Sequence, residues 1–492
     1  MVLILLTYAA TLVPLLGFGL NYLFSPNPNL RDVSTLIVAC ITFSLVVLIT
    51  FYNGSNSTEL PALLTVMDGL DIRFHLEPLG LVFALIASGL WILTHIYGVG
   101  YMRANSEKNQ TRFFAFFCLA IFATLGIAFS ANLFSLFIFY EMLTLSTFPL
   151  VAHKGTGDAI RGSRVYLGIL ISTSVVFFLS GIIWVFTTVG TLDFRLGGII
   201  HSYFGDFSTV LLLMLFAFGV GKAALFPFHS WLPSAMVAPT PVSALLHAVA
   251  VVKAGVFSIL KIGVYIFGID HLASTEASNW LIWLAAFTIL FASTIAISKD
   301  NLKARLAYST VSQLSYIILG LALATAIGAL GAALHIVMHA FGKITLFMTA
   351  GSIYVATKKT EISDMVGLGR IMPITFFAFF VGSLSIIGIP LLGGAWSKWY
   401  LLEGAVDADL LLIIVVLLIS SLMNVYYLLS IVGRGFFLNS KGVDVKSKVV
   451  IKEAPILCLI PPIVTAAGSV LLFFFAGRII NYLSPVFNYT GV

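Results

Sequence analysis

Hydrophobic residues make up 60% of this 492-residue chain and charged residues only 9%, whereas roughly a quarter of the residues of a soluble globular domain are charged. A soluble protein of this length could not cover its surface with so few charges, so the composition indicates a membrane protein. The formal net charge of +6 would suit a nucleic-acid partner. The positions of the cations along the chain attribute the excess to membrane topology instead, and no nucleic acid is expected.

The apolar stretches of the chain predict its membrane spans. A spanning helix needs about 20 mostly apolar residues, and fourteen segments of the sequence meet this requirement. The first reaches spanning length and follows no basic region, which favours a span over a cleaved signal peptide. In chain order the segments are 2–24, 33–52, 78–102, 113–130, 132–151, 163–189, 208–228, 242–266, 277–298, 304–323, 329–355, 371–402, 408–433 and 454–482.

The loops between these segments differ in positive charge. Loops that follow odd-numbered segments hold eighteen lysines and arginines, and loops that follow even-numbered segments hold only Arg73 and Arg195. Because positively charged loops stay in the cytoplasm, this asymmetry predicts that both termini lie on the outer side of the cell membrane. It also supports the count of fourteen, since a missed span would scramble the alternation.

Ionisable residues inside the apolar segments are candidate functional residues. A lysine at the centre of a spanning helix costs about 2.5–3.5 kcal/mol, and packing alone gives no reason to keep several of them. Lys261 stands near a segment end, where a long side chain can extend to the membrane surface. The residues deeper in the segments are Lys222, Lys253, Lys343, Lys398 and Glu141.

The type of buried cation also carries information. Burial and neighbouring charges can bring the pKa of a lysine near neutrality, whereas an arginine stays charged. None of the four buried cations is an arginine. The pattern therefore favours proton transfer over a set of fixed structural charges.

The eleventh segment carries His335, His339 and Lys343 at positions i, i+4 and i+8, which places them along one face of a helix. A row of titratable nitrogens about one turn apart is what a water-linked proton relay requires. Zinc is the competing hypothesis, because two histidines four residues apart can bind it, but no HExxH motif is present. The three cysteines form no metal-binding motif either, so neither a metal nor a cofactor is expected.

Two segments are interrupted. In the seventh, Pro227 and His229 follow Lys222, and in the twelfth Pro390 and neighbouring glycines precede Lys398. A proline removes a backbone donor, so the polar groups that it frees must line protein or water. Interrupted helices at corresponding positions in the two halves of a transporter indicate an ion path through inverted repeats.

Further polar side chains lie on the neighbouring segments. The eighth segment carries His247 and Lys253, which do not share one face of an ideal helix and would serve successive links. The tenth has a polar stripe that includes Ser309 and Gln313. Such a stripe could join helices or hold water, and the sequence leaves both readings open.

The order of the segments and their breaks divides the chain. We expect three N-terminal helices in 1–112, a first repeat of helices 4–8 in 113–266, a second repeat of helices 9–13 in 277–433, and a C-terminal loop and helix in 434–492. No nucleotide-binding loop is present, because Ala223 stands where such a loop has serine or threonine. No active site is expected in this chain, and energy would come from a partner or an ion gradient.

A family resemblance rests on four motifs. They are GKAALFPFHSWLPSAMVAPTPVSALLH at 221–247, FYEMLTL at 139–145, KDNLKARLAYST at 299–310 and HxxxHAxxK at 335–343. These motifs resemble those of the antiporter-like subunits of complex I and of Mrp-type cation/proton antiporters, over segments 4 to 12. The resemblance implies an all-α membrane protein with fourteen transmembrane helices and two inverted five-helix repeats.

The resemblance also implies roles for the candidate residues. Glu141 would pair with Lys222, Lys253 and His247 would occupy the centre, and Lys343 and Lys398 would lead to the other side. Withdrawal of Glu141 toward a neighbouring subunit would release the proton of Lys222 into the chain of sites. The sequence departs from several relatives at Gln313, where they have histidine.

Two features make the chain most similar to the D-type subunit of Mrp antiporters. The chain ends soon after the fourteenth segment, without the lateral helix of the long complex I subunit. Lys398 stands where the middle complex I subunit carries a glutamate.

The sequence therefore predicts a proton-translocating subunit of a multisubunit Mrp-type sodium/proton antiporter, embedded in the lipid bilayer with other antiporter-like and small membrane subunits as partners. Whether sodium passes through this chain is left open. The alternative is the same module in a redox-driven complex, either a membrane-bound hydrogenase or a complex I-like NADH/quinone oxidoreductase. A stand-alone transporter of an organic solute is a third hypothesis, although the buried charges run through several helices rather than around one pocket.

Overall fold

The computed structural model describes residues 1–67, 69–438 and 450–487, apart from the side chains of Leu246 and His247. Most of the described chain is helical. In chain order the long helices are α1 (Val2–Leu23), α2 (Pro28–Asn53), α3 (Pro78–Ala104), α4 (Gln110–Phe129), α5 (Leu133–Val151), α6 (Gly157–Val189), α7 (Asp206–Gly219), α8 (Val242–Phe267), α9 (Asn279–Ser298), α10 (Leu302–Ala322), α11 (Ala326–Thr357), α12 (Pro373–Ile387), α13 (Gly394–Asp407), α14 (Leu411–Phe437) and α15 (Ile456–Phe487).

Short helical segments connect some of these helices: Gly221–Ala223, Phe228–Ser230, Trp231–Ser234, Ala235–Val237, Ile269–Ser274, Ile362–Met365 and Leu368–Ile371. Both α6 and α8 contain wider π-helical turns, which recur at functional sites in other proteins. These turns lie at Ser174–Phe178, Val242–Ala250 and Gly263–Phe267.

Polar residues define where several helices begin. Asn27, Asn132, Thr156, Asn301 and Thr325 each accept a hydrogen bond from a backbone N–H in the first turn of the helix that follows. Such caps satisfy donors that the helix itself cannot pair. They fix the ends of α2, α5, α6, α10 and α11.

The helices match the predicted spans. Eleven helices in the described ranges are long and apolar enough to cross a membrane, and each coincides with one predicted segment. The tenth segment is α10, and the interrupted seventh and twelfth segments contain the shorter apolar helices α7 and α12. The helical membrane fold is thus confirmed, whereas fourteen crossings and the inverted relation between the repeats stay predictions.

A β-hairpin departs from the all-α prediction. Strand β1 (Thr58–Met67) pairs antiparallel with β2 (Leu70–Leu76), in a stretch predicted as a loop. Arg73 ties the hairpin to the bundle, because its Nη2 lies 2.5 Å from Oδ1 of Asp193. Apolar and polar residues alternate along β2, as is typical of a strand. The segment is too short to be counted among the predicted membrane spans.

The loops gather on two opposite faces. On the basic face, Arg103 pairs with Asp32 and Lys358 bonds to Asn105, joining the loops that follow odd-numbered spans. On the hairpin face lie β1, β2 and the loop with Arg195. This alternation agrees with the charge count, while the side of the membrane for each face stays a prediction. Three cations of the count, Lys441, Lys446 and Lys448, lie outside the described residues.

Burial increases from the edge of the bundle to its centre. Almost all residues of α8, α10 and α11 are buried, whereas α1, α2 and α15 expose large apolar side chains such as Leu16, Ile37 and Phe474. Outer helices with apolar surfaces suit contact with lipid. The central helices therefore hold the polar groups that the bilayer could not solvate.

Both predicted interruptions are present beside a buried lysine. After α7 the chain turns through Gly221–Ala223, and Ala224 has a left-handed backbone with φ of 54°. Between α12 and α13, Gly388 has φ of 92°, a conformation that glycine adopts most readily, and Pro390 follows. Lys222 lies in the first break, and Lys398 lies one turn beyond the second.

Candidate functional site

The four lysines predicted to lie within the membrane are all buried. Lys222, Lys253 and Lys343 have no exposed surface, and Lys398 is 8% exposed. None of the ion pairs among the described residues involves these four side chains. Their amino groups contact hydroxyl groups, carbonyl oxygens and a histidine instead.

Lys222 contacts α5. Its Nζ donates to the carbonyl oxygen of Tyr140 at 2.8 Å and to Oγ1 of Thr144 at 2.5 Å. Glu141, between them in sequence, is half-buried, and its Oε1 has no hydrogen-bond partner in the described chain. The structure thus brings Lys222 to the helix that carries Glu141, but the expected ion pair between Lys222 and Glu141 is not formed.

The central contact of the site joins α8 to α11. Nζ of Lys253 lies 2.5 Å from Nδ1 of His339, and the His339 ring stacks on His335 with centroids 5.5 Å apart. Nδ1 of His335 lies 2.9 Å from Oγ of Ser397, the residue before Lys398. Either nitrogen of the Lys253–His339 bond can hold the proton. We call Lys253, His339 and His335 the central row.

Lys343 contacts α10. Its Nζ donates to Oγ of Ser309 at 2.5 Å and lies 3.3 Å from the carbonyl oxygen of Leu306. Ser309 also accepts a hydrogen bond of 2.9 Å from the hydroxyl of Tyr427 on α14. At Ser309, therefore, the polar stripe of α10 joins three helices.

Lys398 contacts the second break. Its Nζ donates to the carbonyl oxygen of Ile387 at 3.0 Å and to Oγ of Ser421 at 2.9 Å. The last carbonyl groups of a helix have no partner within it, so this lysine satisfies the end of α12. Nζ also lies 5.1 Å from the centre of the Tyr316 ring, which stacks on His335 of the central row.

Several buried polar atoms in the central row and beside it have no hydrogen-bond partner within the described part of the chain. They include Nε2 of His335, Nε2 of His339 and both amide atoms of Gln313. Buried polar groups are normally hydrogen-bonded, and such positions suit internal water. Gln313 lies about one turn from both Ser309 and Tyr316, so its amide can extend a hydrated connection along α10.

The remaining predicted residues are less connected. His229 is half-buried beyond the first break, and its ring stacks on Phe226. Pro227 and Pro390 lie in the two breaks and are exposed. The side chain of His247 lies outside the described residues, so its central position stays a prediction.

The structure adds one charged pair that the sequence reasoning missed. Lys261, expected to extend to the membrane surface, is fully buried, and its Nζ lies 3.1 Å from Oε1 of Glu77. Glu77, predicted to lie in a loop, caps α3 and is also buried. The sequence Glu77-Pro78 before an apolar run is a signal for a helix start and could have identified this acid.

The chemistry of the central row suits proton exchange. In the described ranges, no three His, Cys, Asp or Glu side chains form a metal-binding group. His339 contacts Lys253, whose positive form would repel a cation. Two neighbouring nitrogens that can each gain or lose a proton can instead pass a proton between them.

A helical bundle with two broken helices and an internal row of titratable side chains defines an ion-translocating membrane protein. A family model described as NADH:quinone oxidoreductase/Mrp antiporter, TM, matches residues 130–424. A second, described as NADH-Ubiquinone oxidoreductase (complex I), chain 5 N-terminus, matches residues 66–114. The chain belongs to the NADH:quinone oxidoreductase/Mrp antiporter family, as its motifs predicted.

Similar curated proteins come from both branches of the family. NADH-quinone oxidoreductase subunit N of Desulforudis audaxviator (strain MP104C) is 31% identical over 421 residues, which cover 82% of this chain and 83% of the relative. The chloroplastic NAD(P)H-quinone oxidoreductase subunit 5 of Chlorokybus atmophyticus is 29% identical over 523 residues, covering 97% and 76%. A probable K(+)/H(+) antiporter protein of Rhizobium meliloti (strain 1021), its A/B subunit, is 35% identical over 351 residues, covering 70% and 34%.

Two solved structures share the fold. A chain of the membrane-bound sulfane sulfur reductase (MBS), an archaeal respiratory membrane complex, matches with a TM-score of 0.85 at 23% identity, covering 98% of this chain and 97% of that chain. A chain of the Mrp complex from Dietzia sp. DQ12-45-1b matches with a TM-score of 0.84 at 22% identity, covering 99% and 52%. The family model and the curated relatives confirm the superfamily, while the D-type assignment stays a prediction.

Proposed function

We propose that the chain is the D-type, proton-translocating subunit of a multisubunit Mrp-type cation/proton antiporter in the cell membrane. The observation that carries this proposal is the 2.5 Å contact between Lys253 and His339, continued by the stack of His339 on His335. The contact joins two titratable nitrogens with no carboxylate between them. One proton can therefore be shared between the two nitrogens and moved.

Lys222 and Glu141 form the proposed start of the path. The acceptors on Tyr140 and Thr144 stabilise the ammonium form of Lys222. Glu141 has an unpaired buried oxygen, so its carboxylate can approach Lys222 or a residue of a neighbouring protein in the complex. Approach to Lys222 would stabilise the ammonium further, and withdrawal would favour release of its proton toward Lys253.

The second half of the proposed path runs from α11 to α13. A proton on His335 can move through the Ser397 hydroxyl, which lies 2.9 Å from its Nδ1, to the neighbourhood of Lys398. Lys343 forms a branch toward Ser309 and α14. In this account 113–266 and 277–433 act as two halves, and the central row joins them.

Lys398 supports the D-type assignment within the family. A glutamate at this position would bring a negative charge to the carbonyl oxygen of Ile387, which now accepts a hydrogen bond from Nζ. The lysine and the broken end of α12 are therefore matched in charge. We further propose that the basic face is cytoplasmic and that both termini lie outside, from the charge of the loops.

A redox-driven complex is the second candidate. The relative from Desulforudis audaxviator is named as a subunit of NADH-quinone oxidoreductase and matches most of both chains. The internal path would serve either complex, since only the neighbouring subunits that drive it differ. The two candidates therefore make different predictions about partners.

Purification of the intact complex from native membranes tests the proposed function. An Mrp-type antiporter predicts only membrane subunits by mass spectrometry, and cation-dependent proton movement in reconstituted vesicles. Glu141→Ala and Lys222→Ala should each abolish this movement while the complex still assembles. Exposed Lys108 on the basic face gives the matched control, since Lys108→Met should transport like wild type.

Different outcomes would support other functions. Iron–sulfur or flavin subunits in the purified complex, with proton movement that requires an electron donor, would replace the antiporter with the redox-driven candidate. Solute-coupled transport by the purified chain alone would support the stand-alone transporter. Wild-type proton movement in Lys222→Ala would overturn the path itself.

A further inference from the structure

A second buried charge pair lies beneath the hairpin face, outside the path described above. Lys261 has no exposed surface, and Glu77 is 1% exposed. Nζ of Lys261 lies 3.1 Å from Oε1 of Glu77, and the described chain offers it no further hydrogen-bond acceptor. The rings of Phe194 and Phe257 lie 5.0 and 5.6 Å from Nζ. The lysine thus has a single charged contact in an otherwise aromatic setting.

Glu77 has other partners besides this lysine. Its two oxygens accept hydrogen bonds of 2.9 Å from the backbone N–H groups of Leu79 and Gly80, at the start of α3. The hydroxyl of Tyr265 donates to Oε2 at 2.7 Å. The helix N-terminus and a hydroxyl group already stabilise the carboxylate. Glu77 therefore does not require a buried lysine to neutralise its charge. A buried ion pair is also often no more stabilising than apolar side chains packed in the same place.

Glu77, which contacts Lys261, lines a cavity on the hairpin face. The cavity has a volume of about 320 Å³, and its lining includes Glu77, Tyr265 and His75, with exposed Ser55 and Glu59 among its other residues. A water molecule occupies about 30 Å³ in the liquid, so the cavity has room for several. The pKa of His75 on β2 is lowered, mainly by burial and secondly by the positive charge of Lys261. The electrostatic effect of the lysine therefore reaches the cavity wall.

Lys261 also stands on the same helix as Lys253 of the central row. Lys253 precedes it by eight residues on α8, which corresponds to about 12 Å along the helix axis. Phe257 lies halfway between them and stacks on Phe83 at 4.7 Å. The two amino groups are therefore not in direct contact.

We propose that Lys261 is the residue that exchanges protons between the central row and the solvent on the hairpin face, with Glu77 as its fixed counter-charge. This inference rests on the proposed proton path. A proton leaves Nζ of Lys253 through water and binds neutral Lys261, so one amine becomes neutral as the other becomes charged. The proton then passes from Lys261, past Glu77, to water in the cavity that Glu77 lines. Transport in the opposite direction reverses both steps.

Other titratable and charged groups surround the pair. His75 and Glu59 come from the hairpin, Arg195 from the loop after α6, and Tyr265 from α8 itself. The charge of Glu77 also acts on Tyr482 of α15. Among the ion pairs of the described residues, only Glu77 contacts Lys261. Substitutions of Lys261 and of Glu77 therefore test the same ion pair.

Lys261→Arg separates a structural role from proton exchange. Arginine keeps the positive charge and the contact with Glu77, but it does not release a proton in proteins. In the reconstituted complex we expect normal assembly and a loss of proton transport of at least about tenfold. Glu77→Gln keeps one of the two side-chain acceptors that cap α3, and it should shift the dependence of the transport rate on pH at the hairpin face only.

Each result bears on a separate claim. Wild-type transport in Lys261→Arg, beside an inactive Lys222→Ala, would overturn the exchange site and leave the proposed function intact. Wild-type transport in both variants would overturn the proposed function and this inference together. A loss in Lys261→Arg and in Lys222→Ala, with both complexes assembled, supports the exchange site.

Discussion

At the residue scale, the site depends on lysines whose amino groups contact neutral acceptors. Lys222 contacts a carbonyl oxygen and a hydroxyl group, Lys343 contacts a hydroxyl group, and Lys253 contacts an imidazole. A carboxylate partner would favour the charged form of each lysine. Neutral acceptors instead allow both protonation states, so each of these residues can take up and release a proton.

The sequence predicted that Lys222, Lys253, Lys343 and Lys398 are buried but not what they contact. An isolated lysine in an apolar segment stands out, because burying its charge is costly. Thr144 and Ser397 do not stand out, since serine and threonine are common in membrane helices and bond to their own backbone. The prediction that Lys261 extends to the membrane surface is wrong. The sequence shows that this lysine is near a helix end, but it does not show that the hairpin and α3 cover that end.

Substitution of the two histidines tests the order of the central row. His339 bonds directly to Lys253, whereas His335 contacts it only through His339. Alanine at His339 should therefore reduce proton transport by about tenfold or more, and alanine at His335 should reduce it less, because water can bridge one missing link. A pH-sensitive dye in vesicles with the reconstituted complex measures both rates. A larger loss for His335→Ala would contradict the order.

At the scale of the elements, the two helix breaks and a close helix contact position the lysines. Gly255 of α8 faces the first break, where a Cβ atom would overlap the backbone of Lys222. The hydrophobic pattern predicted the long helices and both breaks, because apolar length and proline are strong local signals. It could not predict the close contact, which depends on how separate helices pack.

Gly255→Ala tests this contact. The added methyl group should push α8 from the break, with an overpacking cost of about 1–3 kcal/mol, and should displace Lys222 relative to Thr144. We expect a lower melting temperature of the purified complex and a reduced transport rate. Gly168→Ala is the matched control, because no atom lies within 4 Å of a Cβ at that position. Equal behaviour of the two variants would contradict the proposed role of the contact.

At the scale of the whole molecule, the chain has the form of one part of a larger path. Glu141 has a buried oxygen without a partner in the described chain, and the four lysines of the path have no carboxylate in direct contact. The outer helices expose large apolar side chains to lipid or to other subunits. Both features favour neighbours that supply charge and complete the connection.

Proton flux through the assembled complex with Lys253→Met tests the central claim most directly. Methionine fills a similar volume but cannot carry a proton, so it removes the link between α8 and His339 without leaving a cavity. We predict that the complex assembles and that proton transport falls to background, while Lys108→Met keeps the wild-type rate. A wild-type rate in Lys253→Met would show that protons do not cross this chain through the central row.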